Sequence, residues 1–154
     1  MVYRLDAGTV IDAEGNLVIE NLYTGSVSQV THAQGSVSGY SSGGYAYPTV
    51  YNIIDKFSFS SDENATDVGN LLETVYRNTG QSSSAHGYSS AGAPTGSGRD
   101  RIEKFPFSTD TNSSDVGDLT QARQQSSGQS SVDNGYTSAG NYGSGLYSNV
   151  IDKF

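Results

Sequence analysis

The chain of 154 residues contains no cysteine and no tryptophan, and its one methionine is the first residue. Without cysteine, neither a disulfide framework nor a thiolate metal site can form. Eight lysines and arginines stand against sixteen aspartates and glutamates, which gives a net charge of −8. This balance argues against binding to nucleic acid or to an anionic membrane surface. No apolar run is long enough for a transmembrane helix, so we expect no membrane insertion.

Large apolar side chains are also scarce, since hydrophobic residues make up only 34% of the chain. Clusters of alanine, glutamate and leucine are missing and glycine is dense, which disfavours long helices. A low apolar share can indicate disorder. It can equally indicate a folded domain with a narrow core, and the two are separated by whether the apolar residues follow a regular pattern.

One pattern of residues is written three times along the chain and decides this question. The first half of the pattern, Gly-Tyr-Ser/Thr-Ser-Gly/Ala-Gly, recurs with a period of 48 residues, beginning at Gly39, Gly87 and Gly135. The second half, Ile-Asp/Glu-Lys-Phe, ends at Phe57, Phe105 and Phe154. A period of this length indicates a supersecondary unit copied in tandem, and such units bury their apolar faces against their neighbours. We therefore predict three folded units, at about 22–57, 71–105 and 119–154.

The distribution of β-branched and aromatic residues favours strands throughout. Two short apolar segments, 9–12 and 16–19, flank Ala13-Glu14-Gly15 as in a β-hairpin. Within the units we expect strands near 81–86, 88–91 and 101–107 and at the equivalent positions of the third copy. The segment around Val116 and Leu119 is either a fourth strand or a short helical turn. We predict an all-β protein with an N-terminal β arm at 1–20, for anchoring or oligomerisation, and a three-repeat β domain at 21–154.

The residues that recur in phase are the candidate core. We expect the repeated tyrosines and phenylalanines to be buried in all three units, namely Tyr40, Tyr88 and Tyr136 with Phe57, Phe105 and Phe154.

No catalytic constellation is evident, so we predict a non-enzymatic protein without a cofactor or metal. The two histidines, His32 and His86, occupy different phases of the repeat. The segments 62–67 and 110–115 both read Asp-x-Asn-x-x-Asp, a spacing of oxygen ligands that calcium can use. They lack the bidentate glutamate of a full calcium loop, and the same residues serve as turns or caps. The turn interpretation is favoured, and structural calcium is the alternative.

The loops inside the three units differ, although the flanking motifs are constant. They span residues 45–51, 93–100 and 141–147. A constant frame with variable loops is typical of recognition scaffolds, and tyrosine with serine, glycine and asparagine is typical of adaptable binding surfaces. Exposed tyrosines can stack on sugar rings or fill a protein interface, whereas packing against neighbouring units is the alternative role. The candidate ligand-binding residues are Tyr45, Tyr47, Tyr51, Arg99, Tyr142 and Tyr147.

The repeated motifs also resemble those of a known family. Gly-Tyr-x-Ser-Gly/Ala-Gly, Ile-Asp/Glu-Lys-Phe-x-Phe-Ser, Asp-Val-Gly-Asn/Asp-Leu and Gly-Gln-Ser-Ser together resemble kelch-like repeats of proteins from marine phages and environmental bacteria. That resemblance implies the blade-like sheets of a propeller. Propellers use about four blades or more, so three units would need another chain for closure. A pseudo-threefold trefoil or prism and an open stack of blades are the alternatives. The segment 12–18 is similar to linking segments of phage tail fibres.

These resemblances imply a role on a virus particle. We expect a structural protein of a phage virion, as a fibre, tail appendage or capsid decoration, that contributes to attachment to the host surface. The expected partners are other virion proteins and further copies of the chain, with a trimer favoured, and a host surface glycan. The alternative is a carbohydrate- or protein-binding lectin or adhesin of kelch-like type, located outside the cell or on its surface.

Overall fold

The structure, a computed structural model, describes residues 37–154 and three short strands within the first 36 residues. The chain divides into two compact units, Met1–Val30 and Thr31–Phe154, which are treated separately below. All fifteen described elements are β-strands, and the described residues contain no helix. The all-β prediction is therefore confirmed.

The first unit contains an antiparallel sheet of three strands in the order β1-β2-β3. The strands are β1 (Tyr3–Leu5), β2 (Thr9–Ile11) and β3 (Leu17–Ile19). Val10 lies opposite Val18 in the β2–β3 pair, as the predicted hairpin requires. β1 was not predicted, because three residues without a turn signal carry little pattern.

The second unit is built from three antiparallel sheets and one small hairpin. The first sheet contains β4 (Ser38–Ala46), β5 (Thr49–Ser58) and β6 (Thr66–Asn70). The second contains β7 (Thr79–Ser82), β8 (His86–Ser90), β9 (Arg99–Pro106) and β10 (Ser114–Arg123), in sequential order. The third contains β11 (Ser127–Ser130), β12 (Gly135–Ser138) and β15 (Ile151–Lys153). The hairpin is β13 (Asn141–Gly143) with β14 (Leu146–Tyr147).

The four-stranded second sheet has the meander order expected of a blade, and none of the described sheets closes into a barrel. The uncertain segment around Val116 is a strand, β10, and not a helical turn. The closed trefoil alternative is not formed by the part of the chain that the structure describes.

The second and third sheets meet in register, since the amide of Ser82 donates to the hydroxyl of Ser130, one period later, at 2.9 Å. Backbone contacts at the ends of the sheets also recur with the same period. The amide of Gly44 donates to the carbonyl of Val75 at 2.7 Å, and that of Gly92 donates to Arg123 at 2.9 Å. The backbone bridges repeat in the same way, as Tyr76–Ala93 and Gln124–Asn141. Because equivalent residues make equivalent contacts, the three sheets form an in-register stack.

The apolar core lies between successive sheets, in two clusters. The first cluster contains Ile54, Leu71, Val75 and Phe105, with Tyr40 packed beside it. The second holds the equivalent positions of the next repeat, Ile102 and Leu119, together with Ala91, and is flanked by Tyr88 and Phe154. This arrangement explains how a chain of low hydrophobicity folds, since each cluster needs only a few apolar side chains.

The predicted core is only partly confirmed. Phe105 is buried, whereas Phe57 is 39% exposed and Tyr40 is half-buried at the edge of its cluster. Phe57 lies opposite Gly39 in the β4–β5 pair, and Tyr40 lies opposite Lys56. Because neighbouring residues of a strand point to opposite faces, Phe57 points away from the second sheet, against which Tyr40 packs.

The repeated glycines are explained by the repeated phenylalanines. A Cβ atom at Gly87 would overlap the ring of Phe105, which lies across the β8–β9 pair. The same overlap occurs in the first and third sheets, between Gly39 and Phe57 and between Gly135 and Phe154. Each aromatic ring therefore covers the glycine that faces it, and the two motifs must recur together.

At one position of the repeat, a buried charge replaces an apolar side chain of the first core cluster. Arg123, which is fully buried, stands one period after Val75. Its guanidinium lies 2.6 Å from the carboxylate of Asp152 and donates to the carbonyl of Thr137 at 2.8 Å. Asp152 also accepts hydrogen bonds from the hydroxyl and the amide of Thr120, at 2.6 and 3.2 Å.

These contacts predict how stability depends on pH. Burial alone would raise the pKa of Asp152, but the Thr120 hydrogen bonds and the Arg123 ion pair outweigh it and lower the pKa below its usual value. The contribution of Asp152 to stability is thus complete above about pH 4 and is lost as the pH falls through the folded pKa. We expect the difference in unfolding free energy between the wild type and Asp152→Asn to shrink below pH 4. Urea denaturation from pH 7 to 2.5 measures this difference.

The matched control for the pH experiment is the exposed carboxylate Asp133. Asp133→Asn should leave the free energy of unfolding close to that of the wild type at every pH, because an exposed charge contributes little. A gap between the wild type and Asp152→Asn that stays constant down to pH 2.5 would contradict the lowered pKa.

Candidate functional site

The three variable loops are connected through residues that lie between the repeats. The ring of Tyr45, in the first loop, lies 5.4 Å from that of Tyr76. The guanidinium of Arg77 lies 5.0 Å above the Tyr76 ring and donates to the side chain of Gln124 at 3.2 Å. Gln124 in turn donates to the carbonyl of Gly96, in the second loop, at 3.1 Å.

The third loop joins the same row, because Asn141 forms a backbone bridge with Gln124. We call this surface the loop face and define it by Tyr45, Tyr47, Tyr51, Tyr76, Arg77, Gln124 and Tyr142. It draws on all three sheets, so its geometry depends on how they stack.

The five predicted tyrosines are all exposed. Tyr47, at the tip between β4 and β5, is 87% exposed, and Tyr45 meets it edge-on with ring centroids 6.4 Å apart. Tyr51 lies on β5, and the other two belong to the β13–β14 hairpin, as Tyr142 and Tyr147. Exposed rings on a rigid frame offer flat apolar surface at a low cost in conformational entropy.

A polar cleft of about 480 Å³ lies between the second and third loops. Its walls combine a cation, amide side chains, glycines and one aromatic ring, and include Arg77, Gly96, Gln125, Asn141 and Tyr142. Such a lining suits a ligand rich in hydroxyl groups, because amides and guanidinium can donate to sugar oxygens while the ring packs against a sugar face.

The second loop is more firmly held than its glycine content suggests. A Cβ atom at Gly98 would lie 2.6–2.8 Å from backbone atoms of Arg123, so this glycine allows two segments of backbone to touch. The wall of the cleft is therefore fixed against β10, which ends at Arg123.

The prediction that Arg99 lies in an accessible loop is wrong. Arg99 begins β9, and its side chain is buried. Its guanidinium pairs with Glu103 at 2.5 Å and Glu73 at 3.2 Å, and also donates to the carbonyl of Ala91 at 2.7 Å. The glycine-rich segment before it concealed the start of the strand.

The exposed cation of the loop face is Arg77, which the sequence reasoning missed. It lies outside the repeated motifs, one period before Gln125, and has a left-handed backbone with a φ of 57°. Gln125 has a φ of 56°. The one signal for Arg77 in the sequence was its charge, since the residue one period later, Gln125, is neutral.

A larger cavity, of about 630 Å³, runs along the stack beside β4. Its lining consists mainly of the repeated glycines, serines and aromatics that build the sheets, such as Gly39, Phe57, Gly87 and Phe105. It follows from the repeat and not from the variable loops, so the loop face is the better candidate for recognition.

The Asp-x-Asn-x-x-Asp segments form local hydrogen bonds and contacts between sheets. Asp67 accepts from the amide of Gly69 at 3.1 Å, and Asp115 accepts from that of Gly117 at 3.0 Å. The side-chain oxygen of Asn112 accepts a hydrogen bond from the backbone amide of Asn70, in the first sheet. Asp67 and Asp115 thus make the local hydrogen bond expected of an Asx-turn, but they lie within β6 and β10, at irregularities of the strand register, and not in turns between strands. In residues 37–154, no group of three or more histidines and carboxylates is placed to hold a metal ion.

His32 lies outside the described residues, and His86 lies on β8 beside the ring of Tyr88. Within the described part of the chain, no helix has the length and apolar character needed to cross a membrane. No protein-family model matches the sequence, and no curated protein is significantly similar to it.

Proposed function

We propose that this chain is a non-enzymatic structural protein of a phage virion that displays the loop face for attachment. It would serve as a fibre, a tail appendage or a capsid decoration. The observation that carries the proposal is the convergence of three variable loops on one face of an in-register stack. The kelch-like and tail-fibre resemblances support its placement on a virion.

The ligand that fits the loop face best is a glycan of the host surface. The cleft offers Arg77, Gln125 and Asn141 as hydrogen-bonding groups beside the ring of Tyr142. Tyr47 adds a freely accessible ring at the tip of the longest hairpin. Aromatic rings with amide and guanidinium donors recognise neutral sugars, and the guanidinium also favours acidic ones.

The use of the buried charges supports the proposed structural role. Arg99 pairs with Glu103 of its own strand, and Arg123 pairs with Asp152 of the third sheet, so both buried cations are used inside the stack. The net charge of −8 favours solubility and discourages contact with nucleic acid. We propose self-association, with a trimer favoured, and contacts with other virion proteins.

The second candidate is a lectin or adhesin that acts outside the cell or on its surface. The same cleft favours it, because a cleft complete within one chain can bind sugar without a virion. The two candidates differ in a simple respect, since a lectin retains its full affinity as an isolated protein.

Sugar binding tests both candidates. The purified chain is applied to an array of immobilised neutral and acidic oligosaccharides, and each sugar bound is then titrated by calorimetry. We expect Arg77→Ala and Tyr142→Ala each to weaken binding about tenfold, since each removes a hydrogen-bonding or stacking group.

Val132→Ser is the matched control, because Val132 is exposed and is outside the cleft. It should bind as the wild type does. Failure to bind any sugar on the array would contradict glycan recognition by the isolated chain, and binding that survives both cleft variants would contradict the assignment to the loop face.

A further inference from the structure

The stack has two end faces that differ in composition. The surface that carries Phe57, Phe59 and Asp62 is called the front face. The surface that carries Tyr136, Lys153 and Gln129 is called the back face. Phe57 and Phe59 are 39% and 57% exposed, with ring centroids 5.9 Å apart. Asp62, Gln129 and Lys153 are exposed as well.

Inside the chain, the first and second sheets pack through surfaces of the same composition as the two end faces. The ring of Tyr40 stacks on that of Phe107, with centroids 4.8 Å apart and planes inclined by 15°, and lies 5.5 Å from that of Phe105. The ammonium of Lys56 pairs with Asp110 at 3.0 Å. The hydrogen bond with Asp110 raises the pKa of Lys56 above its usual value.

The interface between the second and third sheets repeats this mode of packing. The rings of Tyr88 and Phe154 lie 5.9 Å apart and are inclined by 56°, close to the 55° between the rings of Tyr40 and Phe105. The amide of Gln81 reaches across to the hydroxyl of Thr137 at 2.9 Å. One geometry thus joins both pairs of sheets.

The end faces carry the two halves of this interface. Phe57, Phe59 and Asp62 stand one period of 48 residues before the residues that receive the preceding sheet, Phe105, Phe107 and Asp110. On the other end, Tyr136 and Gln129 stand one period after Tyr88 and Gln81, and Lys153 is the third residue of its motif, as Lys56 and Lys104 are. The front face therefore matches the surface on which a preceding sheet packs, and the back face matches the surface that a sheet presents to the next one.

We propose that the back face of one copy docks on the front face of a second copy, head to tail. The Tyr136 ring packs against Phe57 and Phe59, as Tyr40 packs within the chain, and Lys153 pairs with Asp62. Such a contact joins two different surfaces, so it produces a ring or an open row of copies and not a two-fold dimer. The inference rests on the self-association proposed above and names the two surfaces that meet, but it does not require the loop face to bind anything.

The first test is the mass of the full chain in solution, by sedimentation over a range of concentrations. We expect species larger than a monomer. Phe59→Ser should lower the association constant at least tenfold, because it removes an exposed ring from the front face. Tyr47→Ser is the matched control, since it removes a more exposed ring from the loop face, and it should associate as the wild type does.

The second test exchanges the charges. Asp62→Lys places two ammonium groups across the junction and Lys153→Glu places two carboxylates there, so each single variant should associate severalfold more weakly. The double variant should recover, because the pair is restored with its charges reversed. An equimolar mixture of the two single variants should recover too, since each back face then finds a matching front face on the other variant.

A chain that stays monomeric at all concentrations would overturn the proposal. So would an oligomer, trimeric or otherwise, whose association is unchanged by Phe59→Ser and by both charge reversals. A monomer would also contradict the proposed self-association, whereas an unaffected oligomer would contradict the docking alone. Neither result depends on sugar binding, so both are distinguishable from failure of glycan recognition by the loop face.

Discussion

Replacing Glu103 with alanine is expected to lower the free energy of unfolding by about 3–5 kcal/mol. Glu103 is fully buried, and its carboxylate pairs with Arg99 at 2.5 Å. It also accepts from the hydroxyl of Ser113 at 2.5 Å and from the amide of Leu72 at 2.8 Å. The substitution removes the buried carboxylate that neutralises Arg99, which then keeps only the part-exposed Glu73 and the Ala91 carbonyl, and it removes the acceptor of the Ser113 hydroxyl and the Leu72 amide. Urea denaturation followed by circular dichroism measures the loss.

Glu73 provides the matched control, because it contacts the same guanidinium of Arg99 from a position that is about one third exposed. Glu73→Ala should cost at most about 1 kcal/mol, since water screens and replaces that contact. The double variant Arg99→Met/Glu103→Leu should recover most of the stability that Glu103→Ala loses, because no buried charge then remains unpaired. Equal losses for Glu73→Ala and Glu103→Ala would show that the buried network is not the cause.

Replacing Gly87 with alanine is expected to cost about 3 kcal/mol, at the upper end of the range for overpacking a core. The new Cβ atom would overlap the ring of Phe105, and that ring is buried between the first and second sheets. It cannot move aside without displacing Tyr40, whose ring lies 5.5 Å away. Thermal and urea denaturation of the variant measure the effect.

Substitutions at two other glycines test whether the loss of stability depends on the overlap with a buried ring. Gly39→Ala creates the same overlap with Phe57, but that ring is partly exposed and can swing outward, so we expect a smaller loss. Gly80→Ala should be neutral or stabilising by up to about 1 kcal/mol, because the nearest atom to its Cβ would be a carbonyl oxygen 3.9 Å away. A loss at Gly80 as large as that at Gly87 would contradict the role of the ring.

The two buried carboxylates show how the repeats have diverged within one frame. Glu103 and Asp152 occupy the same place in the Ile-Asp/Glu-Lys-Phe motif. Glu103 is neutralised by Arg99, from its own strand, whereas Asp152 is neutralised by Arg123, from β10. The position of the carboxylate is thus shared while the source of its cation is not. Exchanging the third sheet alone would separate Asp152 from Arg123, which lies in the second sheet, whereas Glu103 and Arg99 would move together.

Much of the architecture is determined by the sequence alone. The 48-residue period, the dense glycines and the lack of helix formers were enough to predict an all-β chain of three similar units. The N-terminal hairpin followed from two β-branched segments around Gly15, and strand β8 followed from Tyr88 and the residues after it. These features depend on local propensity and on repetition, which are written directly in the order of residues.

The tertiary structure decided which members of the repeat are buried and which loop residues share a surface. Phe57 and Phe105 are equivalent in sequence, but only Phe105 is covered by the ring of Tyr40 from the preceding sheet. Arg99 was assigned to a loop and is buried, whereas Arg77 was overlooked and is exposed. Burial and ion pairing depend on the neighbours that a residue meets after the sheets stack. Those neighbours lie tens of residues away along the chain, so periodicity identifies equivalent positions without revealing their surroundings.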